Sequence, residues 1–173
     1  MSIRVELYTA GGIVSGVLAR PGHLREWLER DVEIPLEQAS WQVMDGIVPH
    51  ASGQIMVAVD DIIVAAADDD PVIPVHAAWH SIRLEAGPFE IRGELPTLPG
   101  FDPGRALTRP SGEFVHLRDV TLAIVGRPDQ GAAALPHALV NRYSVELVSA
   151  DLMLGFFFPG AAMAEVPTGG APA

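Results

Sequence analysis

The chain has 173 residues, 49% of them apolar and 19% charged, a balance that suits one or two small globular domains and excludes an extended disordered chain. It contains no Cys, which excludes a disulfide framework, thiolate nucleophiles and Cys-ligated zinc or iron–sulfur centres. Every basic residue is Arg, and the net charge of −11 repels phosphate backbones, so nucleic acid is a disfavoured partner.

The first predicted element is a strand. Ile3–Thr9 (IRVELYT) alternates, with Ile3, Val5 and Leu7 on one face, and Ala10-Gly11-Gly12 reads as a turn. Ile13–Arg20 (IVSGVLAR) returns as the second arm of a hairpin, with Gly16 marking a bulge or a close backbone approach. After Pro21-Gly22, HLREWLER places Leu24, Trp27 and Leu28 on one helical face and Glu26 four residues before Arg30, which predicts one or two helical turns. Ile34–Met44 is a long strand. A loop over Asp45–Gly53 leads to Gln54–Asp68 (QIMVAVDDIIVAAAD), read as two strands with a tight bend at Asp60-Asp61.

This last stretch recurs as His137–Asp151 (HALVNRYSVELVSAD), a shift of 83 residues. A shift of 77 places Ile82, Leu84, Ile91, Gly93 and Leu95 on Val5, Leu7, Val14, Gly16 and Leu18, and a shift of 81 places Val115–Ile124 on Ile34–Val43. Steady growth of the shift is what small loop insertions produce in a duplicated unit. The second copy predicts a short helix at FDPGRALTRP, capped by Asp102 and stopped by Pro110. The expected organisation is a first β unit over 1–68, a linker over 69–81, a second unit over 82–164 and a disordered tail over 165–173.

VAVDDIIVAAA (Val57–Ala67) and VNRYSVELVSA (Val140–Ala150), each preceded by a hairpin with an internal Gly (Gly16, Gly93), resemble the closing strands of Sm-like or related SH3-type small barrels. The resemblance implies a mainly β fold of two tandem, strongly curved five-stranded barrels, each with one short helix. It also implies edge strands that pair into larger assemblies, and RNA contacts from a polar loop and an Arg-Gly after the fourth strand. Val59-Asp60 stands where that Arg-Gly would be; Asn141 and Arg142, with Arg127, offer the nearest equivalent chemistry.

His76 and His80, in HAAWH, have the i, i+4 spacing with which two imidazoles on a helix face one metal, although Pro74 works against a helix there. His116 and His137 stand singly on predicted strands and read as structural. No nucleophile elbow, phosphate-cradling Gly loop or dinucleotide fingerprint occurs, and no cofactor is implied.

Phe156-Phe157-Phe158 is too apolar to be left in water, so it belongs to the core, to a partner interface or to a membrane surface. The expected function is a non-catalytic interaction or assembly module. It would act through strand edges and this apolar segment, binding a protein partner or another copy. The alternatives are an Sm-like RNA binder and a metal-dependent binder or enzyme built on HAAWH. The opening MSIRVELYT reads as a strand and not a leader, and no apolar run is long enough to span a bilayer, so the cytoplasm is the expected compartment.

Overall fold

Alternating apolar residues build a hairpin at the start of the chain, as expected. β1 (Arg4–Thr9) pairs antiparallel with β2 (Gly12–Leu18) from Thr9↔Gly12 back to Arg4↔Val17. The computed structural model describes residues 2–43, 49–69, 77–97, 112–127, 133–150 and 157–164.

After the hairpin comes α1 (Leu24–Arg30), whose Leu24, Trp27 and Leu28 are buried. It ends where the Asp31 amide donates to Trp27 O at 3.0 Å. β3 (Glu33–Val43) and β4 (His50–Ala58) follow. A 3-10 turn at Val59–Asp61 then returns the chain as β5 (Ile62–Ala67), which pairs with β1. The expected bend at Asp60-Asp61 is this turn.

The second half repeats the order. β6 (Ala78–Ala86), β7 (Phe89–Thr97), β8 (Phe114–Ile124) and β9 (Ala133–Asn141) are followed by a 3-10 turn at Arg142–Ser144. β10 (Val145–Ala150) then pairs back onto β6. β6 begins inside the segment read as a linker. The second short helix, expected around Asp102–Pro110, lies outside the described residues, as does the tail from residue 165.

The fold is mainly β, as expected, with one α-helix among the described residues, but the strands form one sheet where two separate barrels are expected. Its order is β11-β10-β6-β7-β8-β9-β5-β1-β2-β3-β4, where β11 is Ala162–Met163. The sheet is open, with β4 at one end and β11 at the other. Two β-rich halves with apolar alternation do not by themselves reveal whether each sheet closes on itself or on its neighbour.

What bends each half is the same device. β3 carries a bulge between Glu37 and Ala39, with Gln38 at φ 48°, and β8 has Asp119 at φ 50° beside the register shift of β7 at Gly93. Opposite the first bulge, a Cβ on Gly16 would stand 3.0 Å from Glu37 O and from the Leu36 Cβ. Opposite the second, a Cβ on Gly93 would stand 3.2 Å from Arg118 O. Only glycine lets the backbone approach this closely, which is why the apolar alternation is interrupted there.

The core has two lobes. One gathers Leu7, Leu24, Leu28, Ile34, Leu36 and Ile62; the other gathers Leu84, Phe89, Ile91, Leu95, Leu117 and Val140. Each lobe borrows from the other half: Tyr8, Ile63 and Val64 pack in the second lobe, and Phe114 packs in the first. Fully burying side chains of this kind stabilises by about 1.5–3 kcal/mol each, so the exchanged residues lock the halves together.

Candidate functional site: the seam and the sheet ends

The two halves meet where β5 lies antiparallel to β9, over the register pairs Val64↔Val140 and Ala65↔Leu139. Asn141 reinforces this short ladder: its Nδ2 donates to Ile62 O at 3.1 Å, and its Oδ1 accepts from the Tyr143 amide at 3.0 Å. One side chain thus both caps the 3-10 turn after β9 and ties that turn to the start of β5.

Beyond the ladder β5 and β9 border a cavity of about 80 Å³, roofed by the start of α1. Its apolar wall includes Ala65, Ala66 and Ala138, and its polar side chains are His23, Arg25, Asp69, His116 and His137. His116 Nε2 and His137 Nδ1 are 3.0 Å apart in a stacked pair, and the Trp79 ring stands edge-on to His116. His116 is buried, and its Nδ1 has no hydrogen-bond partner among the described residues. Burial, then the neighbouring His137 and Arg25, push the His116 imidazole down to about 4, so it is neutral at ordinary pH. Asp69 Oδ2 sits 3.3 Å from His23 Nδ1 and accepts from the Leu24 amide. Arg25 is drawn to Glu29 and to Phe114 O. The pair is a feature of the second half alone, since the shifts of 81 and 83 put Pro35 and Gln54 at the corresponding places.

The two ends of the sheet differ in how they finish. Among the described residues β4 pairs only with β3, and most of its residues are exposed, including Met56. It carries no Pro and no Asp, Glu, Arg or Lys, the features with which natural edge strands resist pairing. Trp41 and Val43 on β3 add further exposed apolar surface, and Trp41 packs against His50 with ring centroids 4.9 Å apart. At the other end β11 lies parallel to β10, with Leu147↔Ala162 and Val148↔Met163, and the Ala164 amide donates to Val148 O at 2.8 Å.

The candidates named from sequence fall as follows. Phe158 is fully buried in the second core lobe and Phe157 packs partly buried against it, so Phe158 serves the chain's own core; Phe156 is outside the described residues. Arg142 is buried, donating from Nε to Phe157 O and from Nη1 to Gly112 O, each at 2.6 Å. Asn141 is likewise buried and engaged at the seam, whereas Arg127 is exposed on the turn after β8. His80 lies on a strand, not a helix, with Nε2 2.8 Å from Thr97 Oγ1, and His76 is outside the described residues. Among the described residues no three His, Asp or Glu side chains converge as a metal site, and no helix is long and apolar enough to cross a membrane.

The pairing of His116 with His137 at the seam was missed because the two lie 21 residues apart and meet only through the β8–β9 register. No protein-family model, curated protein or solved structure matches this chain.

Proposed function

We propose that the chain is a non-catalytic interaction or assembly module whose β4 edge accepts an extended strand from a protein partner. The observation that carries this reading is the seam. β9 stands in the second half where β4 stands in the first, and β9 is already covered by a strand from elsewhere in the sheet. Its residues are accordingly more buried than those of β4, which has no such neighbour among the described residues. An uncovered edge offers a row of amides and carbonyls, and an added strand satisfies them without special side chains.

The resemblance to Sm-like and SH3-type barrels supports the same reading. In each half four strands are followed by a 3-10 turn and a fifth strand that returns to the first, and each half is bent at a bulge facing a glycine. RNA binding draws less support, because Asn141 and Arg142 are committed to internal hydrogen bonds.

The test uses a soluble peptide carrying Val145–Ala150 (VELVSA), the counterpart of β5, with a fluorescent label. It should bind the protein, and Met56→Asp should weaken binding about five- to tenfold by placing a charge at an apolar cross-strand position. Undiminished binding by Met56→Asp, or no binding at all, would contradict the reading.

A further inference from the structure

The repeat relates the two ends of the sheet residue by residue. At the seam, Val64 and Ala65 of β5 face Val140 and Leu139 of β9. Moving each by the shift of 83 residues that superposes the closing strands turns Val64 and Ala65 into Leu147 and Val148 of β10. The same shift turns Val140 and Leu139 into Val57 and Met56 of β4. Leu147 and Val148 are the two positions of β10 that β11 occupies. The short C-terminal strand therefore sits where, one half earlier, a β4-type strand sits.

We infer that residues 157–164 form a self-plug on β10, and that its displacement lets β4 of a second copy of this chain dock there, antiparallel, with Val57 opposite Leu147 and Met56 opposite Val148. This rests on the reading of β4 as a strand-accepting edge, and it names the partner and the control. The plug has the construction of a strap. Its root is firm: Phe158 is buried in the core, and Phe157 O is held by Arg142. Its tip is light: Ala162 and Met163 are exposed and pair over two residues, parallel instead of antiparallel as at the seam. The incoming β4 offers the antiparallel geometry that the same kind of strand already adopts inside the chain. Because the two surfaces lie on opposite ends of the sheet, the contact is head-to-tail and propagates from copy to copy. A plug that covers β10 most of the time lowers the apparent affinity between copies by the fraction left open.

Ala164→Pro removes the amide that bonds Val148 O and leaves Phe157, Phe158 and both core lobes untouched. Light scattering coupled to size exclusion should find wild type and Ala164→Pro at 18.4 kDa when dilute. Ala164→Pro should reach multiples of that mass at concentrations about tenfold lower than wild type, in proportion to the open fraction gained. Adding Met56→Asp should return it to the monomer mass. A chain ending at Gly160, which keeps Phe158, should behave like Ala164→Pro and covers the event that the proline variant misfolds. Identical mass curves for wild type and both strap variants, or multimers that persist with Met56→Asp, would overturn the inference. If the strap variants stay monomeric while the VELVSA peptide still binds through Met56, self-pairing fails and the edge reading stands. If the peptide also fails to bind, both fall.

Discussion

Gln38 and Asp119 hold the same backbone conformation at the same place in the two halves, with φ of 48° and 50°, each in the long strand that faces the internal glycine of the preceding one. Left-handed backbone at a residue with a side chain costs on the order of 1 kcal/mol, and Asn or Asp relieves part of that cost. Gln38→Asn should therefore be neutral or slightly stabilising, whereas Gln38→Val should destabilise by about 1–3 kcal/mol in urea unfolding. Equal stability of the two variants would show that the bulge is not held in this conformation.

The glycines opposite these bulges make the complementary prediction. Gly16→Ala brings a methyl group to 3.0 Å from backbone and Cβ atoms of β3, with no flexible side-chain end to yield. A loss of about 1–3 kcal/mol is expected, with a smaller loss for Gly93→Ala, where the contacts are slightly longer. Thermal or urea denaturation of both variants measures the order directly.

Asn141 is the polar hinge of the seam. Asn141→Ala leaves the buried Ile62 O and the half-buried Tyr143 amide without their side-chain partner, and should cost about 1–3 kcal/mol. Asn141→Asp keeps the acceptor for Tyr143 but removes the donor to Ile62 O, so it should also destabilise. If both variants unfold like wild type, the two halves are held by the β5–β9 ladder and their shared core residues without help from this side chain.

His116 gives the chain a defined response to acid. In the unfolded chain it takes up a proton near 6.5, but in the folded chain only near 4, because burial and then His137 and Arg25 oppose the charge. Between those values the unfolded state binds more protons, so this contribution is complete above pH 6.5 and is lost as the pH falls towards 4. The loss amounts to at most about 3 kcal/mol. His116→Gln should flatten the dependence when urea unfolding is compared at about pH 7.5 and about pH 5. An unchanged slope in that variant would assign it to other groups.

Much of this architecture was legible in the sequence because it is written in local patterns. The alternation of Val5 and Leu7, the helical face of Leu24, Trp27 and Leu28, and the recurrence of Gly16 as Gly93 all report on neighbours within a strand or a turn. The joining of the halves into one sheet rests on Val64 meeting Val140, and nothing about a valine in an apolar strand says which valine it faces. The same limit hid the strap: Phe158 is as apolar as an interface residue, and only the packing places it inside its own core. Asn141 and Arg142 looked like surface chemistry because polar residues usually are; here both side chains are buried and bond backbone carbonyls that no sequence pattern marks.

The most direct measurement is amide hydrogen exchange along β4 with and without a saturating VELVSA peptide. The account predicts slowed exchange centred on Ile55–Val57, with Met56→Asp removing the effect. Slowed exchange confined to other strands, or none anywhere, would contradict the claim that β4 is the edge that accepts a partner.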